Sequence, residues 1–262
     1  MDWLLALSPI VERGIGPITI VAGVFARLST LVYLLPGLGE RFFSPRIRLA
    51  AAGAMTLVAT PVVLAGAAGA PESPAGIASM LAAEAIAGAI IGFSIRVAIF
   101  TLQTAGVIAA QHLSLAQLFS ATLDDQPEPP FATLFMIAGI ALAVSAGLHF
   151  KAVAAIAVSY EVMPFGVFPG ASDAGRWAAD RVAWSFASAF SLAMPFVILG
   201  FIYTLAMGAA NRAMPQLAVA FVGAPAATLA GLGMLAVATP IILGVWLDLV
   251  DAIFATLMGS GR

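Results

Sequence analysis

The sequence predicts an all-α polytopic integral membrane protein, and three observations carry that prediction. Only 9% of the 262 residues are charged while 62% are hydrophobic, and mean hydropathy is +1.06. A soluble chain is about 25% charged, so this chain has too few charges to cover the water-facing surface of a compact domain. Apolar runs long enough to cross a hydrocarbon core of about 30 Å as helix recur along it. Charge, Pro and Gly return only in short breaks between those runs.

The apolar segments are 14–35, 49–70, 77–119, 131–160, 182–210 and 213–247. Met1-Asp2-Trp3 offers no basic n-region and no small-residue cleavage site, so the first segment is expected to be retained. The first break, Pro36 to Arg48, holds Arg41, Arg46 and Arg48 against Glu40, and the positive-inside rule assigns it to the cytoplasm. Pro71-Glu72-Ser73-Pro74 is a short turn. Asp124 to Pro130 is acidic, and its prolines stop a helix. The break at 161–181 mixes Glu161, Asp173, Arg176, Asp180 and Arg181 with Pro and Gly, and Asn211-Arg212 is the last. Nothing resembles a soluble domain or a disordered tail, so residues 1–262 are expected to form one membrane-embedded domain.

Segment 77–119 does not fit a simple count of crossings. As one helix it would run roughly 65 Å at about 1.5 Å per residue, twice a bilayer core. As two spans it needs a turn near Arg96 or Gly106, where there is neither proline nor a polar run. It is either a hairpin with a very tight turn or a helix that leaves the ordinary membrane plane. One internal match stands out, Val58-Ala-Thr-Pro-Val-Val-Leu against Val237-Ala-Thr-Pro-Ile-Ile-Leu. Duplicated segments mark some transporters, but Ala/Val/Leu-rich helices generate such coincidences.

Several function classes are excluded. A net charge of −2 leaves no nucleic-acid footprint, and a chain with no Cys has no disulfide, Fe–S cluster or thiolate zinc site. No P-loop, GxSxG, HExxH or EF-hand run occurs. His112 and His149 lack carboxylates at metal-ligand spacing, and structural roles are expected for both. No enzyme, cofactor or metal is expected.

Charges inside apolar segments are costly, and they pair or line a cavity. Arg27, Glu84 and Arg96 are such charges. On one helix Glu84, Gly88, Gly92 and Arg96 follow an i+4 ridge, drifting about 40° per step. Gly88 and Gly92 form a small-xxx-small surface on which another helix can approach closely. The ridge reads as a packing face with a charge at each end, within the chain or with a partner. Further on, Gln103, Thr104, Gln111, Ser114 and Gln117 fall within an arc of about 140°. Lipid offers these side chains no hydrogen bonds, so the arc should face water, protein or a pore. It runs into Leu115, Leu118 and Phe119 and then into the acidic, proline-stopped loop. That order suits a pore constriction or plug, and equally an interhelical hydrogen-bonding face.

At these residues a family resemblance emerges. FARLSTLVYLLPGLGERFFSPRIRLA (25–50), AEAIAGAIIGFSIRVAIFTLQTAGVIAAQHLSLAQLF (83–119), SYEVMPFG (159–166) and NRAMPQLAVAFVGAP (211–225) resemble, in order and spacing, the FliR family (FliR/YscT/SpaR-like) of flagellar type III export-gate proteins. The resemblance covers nearly the whole chain. It implies a structural and gating subunit of the flagellar protein-export channel in the bacterial inner membrane, at the flagellar basal body. It also implies helical hairpins packed into an export-gate assembly rather than independent spans. The implied partners are FliP-, FliQ-, FlhB- and FlhA-type proteins, membrane lipid, and unfolded flagellar substrates in transit. The family's plug loop corresponds to Gln111 through about Leu123, with Phe119 as its bulky apolar residue. Where the family commonly shows an FDP-like run, this chain has Phe119-Ser-Ala-Thr-Leu-Asp-Asp, with the acidic and Pro elements displaced further on. The readings that compete with it are the equivalent injectisome subunit and, from another class, a small-solute secondary transporter, for which only the seven-residue repeat speaks.

Overall fold

Proline is the first residue of three helices, where its missing N–H leaves no bond unmade and its fixed φ suits the first turn. In the computed structural model the described residues are 2–40, 43–66, 71, 73–112, 130–214 and 219–259. They form seven helices and no strand: α1 (Asp2–Leu34), α2 (Pro45–Gly66), α3 (Pro74–His112), α4 (Pro130–Ser145), α5 (Leu148–Val162), α6 (Ala171–Ala213) and α7 (Val219–Leu257). Six further prolines, Pro9, Pro17, Pro61, Pro195, Pro225 and Pro240, sit inside the described helices, a placement that membrane helices tolerate when neighbours satisfy the freed carbonyls.

Among the described residues four stretches can cross a membrane by length and composition: Gly16–Leu34, α3, α6 and Pro225–Leu257. The bent pair α4 and α5 passes the same test only together. The structure bears on one of the two readings of segment 77–119, the tight hairpin. Helix α3 runs for 39 residues straight through Arg96 and Gly106, about 58 Å, so there is no hairpin in its described part. Segment 131–160, expected as one run, is two helices. They break at Gly147, whose φ of 76° is a left-handed conformation that glycine adopts without a Cβ clash. The charged break at 161–181 is half helix, because α6 already begins at Ala171. The two copies of the VATP match are helical turns around Pro61 and Pro240, and Val58 and Val237 are both exposed.

The chain divides into two compact units. The first comprises Met1–Arg96, Val144–Asp180 and Asp251–Arg262, the second Val97–Ala143 and Arg181–Val250. In the first, Val24, Leu28 and Leu31 of α1, Ala83, Ala87 and Ile91 of α3, and Ala152 and Ile156 of α5 are buried. In the second, Leu102, Ala105 and Ala109 of α3, Phe135 of α4, Phe196 of α6 and Trp246 of α7 are buried. Phe196 meets Phe131 and Phe135 at ring separations of 6.4 Å each, within the range of favourable tilted aromatic pairs.

Candidate functional site

The most polar place in the first unit is also among its most buried. Arg27 of α1 and Glu84 of α3 are both 0% exposed. Their bond is bidentate, with Arg27 Nε donating to Glu84 Oε2 at 2.8 Å and Nη2 to Oε1 at 3.0 Å. An unpaired charge here would cost several kcal/mol even after relaxation, on the order of the effective penalty for a desolvated ion. The remaining hydrogen-bonding capacity is met by the end of α5 and the connector after it. Arg27 Nη1 donates to Ser159 Oγ at 2.9 Å and Nη2 to the Met163 carbonyl at 3.1 Å. Glu84 also accepts from Tyr160 Oη at 3.2 Å and from the Gly166 N–H at 2.8 Å. The Tyr160 ring lies 3.7 Å from the guanidinium carbon, a cation–π distance.

Local chemistry explains how the connector reaches the pair. Helix α5 ends at Val162, and Met163 leaves the helical conformation while its N–H still bonds the Ser159 carbonyl at 2.8 Å. Phe165 packs on Tyr160 at 6.4 Å and against Gly23, where a Cβ would come within 2.7 Å of its ring. Gly166 then takes a φ of 73°, which turns its N–H toward Glu84. One carboxylate therefore holds an arginine from α1, a tyrosine from α5 and a backbone amide of the connector.

The small residues beside Glu84 let this happen. A Cβ on Gly88 would fall on the Arg27 carbonyl and the Thr30 hydroxyl, and one on Gly92 would lie 2.8 Å from Leu34 Cβ. The ridge from Glu84 to Arg96 thus packs on α1 and the turn that follows it. At its far end Arg96 pairs with Glu40. Glu84 and Arg96 sit on the same ridge but have different partners.

In the second unit the buried side-chain hydrogen bonds of Thr101, Ser185 and Trp246 join neutral groups. Thr101 Oγ1 and Ser185 Oγ share a hydrogen bond of 2.8 Å, and Thr101 also donates to the Val97 carbonyl at 2.9 Å. Trp246 Nε1 donates to the Ala98 carbonyl at 2.7 Å. Gln103 Nε2 lies 3.0 Å from Met136 Sδ, Thr104 is half-buried, and Gln111 is exposed in the last turn of α3. Ser114, Leu115, Gln117, Leu118 and Phe119 lie outside the described residues. His112 Nδ1 is 2.9 Å from the Ile108 carbonyl, and the His149 ring packs on Phe150 at 4.1 Å.

Sequence reasoning did not single out Glu40, Thr101, Ser159, Tyr160, Met163, Gly166, Ser185 or Trp246 as site residues. Four of these stand in the run SYEVMPFG. Its signal was a Ser-Tyr pair just before a Pro-Phe-Gly turn, at the end of an apolar segment.

The profile of the family described as bacterial export proteins, family 1, matches residues 18–253, which takes in the charged node of Arg27, Glu84, Ser159, Tyr160, Met163 and Gly166. The flagellar biosynthetic protein FliR of Caulobacter vibrioides is 32% identical over 231 residues, covering 87% of this chain and 92% of that protein. The proteins of the same name from Escherichia coli and Pectobacterium carotovorum are 24% and 26% identical, covering 82% and 83% of this chain. The residues that pack α1, α3 and α5 together lie inside the matched region, and the chain belongs to the bacterial export proteins, family 1.

Proposed function

We propose that this chain is a non-enzymatic structural subunit of the flagellar type III protein-export channel. The observation that carries the reading is coverage: a relative named for flagellar biosynthesis aligns over 92% of its own length. The two further relatives carry the same flagellar name, so nothing favours the injectisome reading. The VATP segments are partly buried and partly exposed and hold no ionisable side chain, so they lend no support to a midplane transport site.

The helices suit a scaffold rather than a solute carrier. In its most apolar window α3 is 61% buried within the chain, whereas α6 and α7 are only 22% and 17% buried. Large apolar side chains such as Phe186, Phe190 and Phe201 point outward, and such faces require lipid or neighbouring subunits. FliP-, FliQ-, FlhB- and FlhA-type proteins are the proposed neighbours, in the bacterial inner membrane at the flagellar basal body. The segment from Gln111 to about Leu123 is the proposed plug, with Leu115, Leu118 and Phe119 excluding water as an apolar constriction does.

A chromosomal deletion complemented by the intact gene tests the assignment. Loss of motility and of flagellar-subunit export, both restored by the gene, is expected; normal export in the deletion strain overturns the reading. Removing 115–122 should leave assembly intact and make the membrane leaky when the partner subunits are co-expressed. Wild-type conductance after that deletion overturns the plug assignment.

A further inference from the structure

Helices α1 and α2 leave an open groove of about 450 Å³ between them, lined by Ile18, Val21 and Phe25 on one side and Gly53, Thr56 and Leu57 on the other. The Thr56 hydroxyl is satisfied internally by the Ala52 carbonyl at 2.7 Å, so the lining offers no free polar group. A Cβ on Gly53 would meet nothing within 4 Å, which makes this glycine the widening of the groove rather than a close contact.

The end of the groove nearest the α1–α2 turn is basic. Seven residues return a helix to within about 20° of the same face, so Arg46 stands in line with Gly53 and two turns closer to the turn. Arg46 is exposed, and no acidic side chain among the described residues pairs with it. Arg48 reaches across to α1, where its guanidinium carbon lies 5.8 Å from the Tyr33 ring. One of its amino groups donates to the Glu40 carbonyl, while its Nε is buried without a partner. The one carboxylate nearby, Glu40, is taken by Arg96. Arg46 is therefore an uncompensated charge in line with the apolar groove, while Arg48, without a carboxylate partner, stands over Tyr33, an exposed tyrosine of the kind that sits at headgroup level.

We propose that this groove binds an anionic phospholipid, with its phosphate at Arg46 and Arg48 and one acyl chain lying between α1 and α2. The dimensions agree. From Arg46 to Leu57 is about 16 Å at about 1.5 Å per residue, close to half of the roughly 30 Å hydrocarbon core and so to the depth one acyl chain occupies. Charge complementarity selects a lipid over a neutral apolar helix, since basic residues next to membrane helices recognise anionic head groups.

The test uses the full chain purified in mild detergent together with its membrane complex. Phosphatidylglycerol and phosphatidylcholine carrying the same photoreactive acyl chain are the probes. Phosphatidylglycerol should label peptides spanning 18–25 and 53–57 at least tenfold more than phosphatidylcholine does. Arg46→Gln, at an exposed side chain with no partner to lose, should reduce that preference several-fold, and adding Arg48→Gln should abolish it. Gly53→Leu should suppress labelling by either lipid, with the size-exclusion profile unchanged. Equal labelling by the two lipids overturns the proposal, as does labelling indifferent to Gly53→Leu. A photoreactive residue at Leu57 that cross-links to another polypeptide instead of lipid makes the groove a protein interface and overturns it as well.

Discussion

The two compact units meet the same problem, polar groups in an apolar surrounding, in different ways. The first unit buries a charge pair and satisfies it with five further contacts from α5 and its connector. The second buries aromatic rings and uses neutral side chains, Thr101, Ser185 and Trp246, to bond one another and α3 carbonyls. A charged network is expensive when incomplete and inert when complete. A neutral one loses little when a single member goes. The difference teaches where the chain tolerates change: broadly in the second unit, hardly at all around Glu84.

The largest expected effect is therefore at the charged node. Glu84→Ala leaves Arg27 buried and the Gly166 N–H unpaired, and should destabilise the chain by about 3–5 kcal/mol, read as loss of a monodisperse peak after mild heating in detergent. Replacing both members, Arg27→Met with Glu84→Leu, should not restore stability, because the Tyr160 hydroxyl, the Met163 carbonyl and the Gly166 N–H would lose the partners they have here. Full recovery in that double variant would show that the pair alone matters and the connector does not.

Sterics come next. Gly88→Ala drives a methyl group into the backbone carbonyl oxygen of Arg27, whereas Gly92→Ala meets Leu34 Cβ at 2.8 Å, a smaller overlap. Overpacking costs about 1–3 kcal/mol, and the Gly88 variant should lose more assembled complex on affinity purification than the Gly92 variant. The reverse order would mean that α3 does not lie on α1 as described.

The second unit should respond more weakly. Trp246→Phe keeps an aromatic ring but loses the bond to the Ala98 carbonyl, at about 1 kcal/mol, together with part of the buried indole volume. A double-mutant cycle on Thr101→Val and Ser185→Ala should return about 0.6 kcal/mol, the usual coupling between membrane helices. A coupling of several kcal/mol there would erase the contrast between the units. Glu84 and Arg96 have different partners, so a cycle between them should be additive within about 0.5 kcal/mol. Marked coupling would merge the two ion pairs into one network.

The sequence by itself determined that the chain is helical and membrane-embedded, because composition leaves lipid as the only solvent for its surface and lipid demands internally bonded backbone. It also marked Arg27, Glu84, Gly88, Gly92 and Arg96 as unusual, since charges and i+4 glycines stand out against an apolar background. It did not pair them. Helices that are apolar all round carry no amphipathic signal to say which face turns inward, and the partners lie far apart along the chain, 57 residues from Arg27 to Glu84 and 132 from Arg27 to Ser159. Which arginine reaches Glu84, that Glu40 rather than Glu84 takes Arg96, and that a connector glycine donates its N–H to a membrane carboxylate were decided by tertiary packing. The physical reason is that helix–helix contact here depends on how closely α1 and α3 approach at Gly88 and Gly92, and closeness is a property of pairs of helices, not of any one of them.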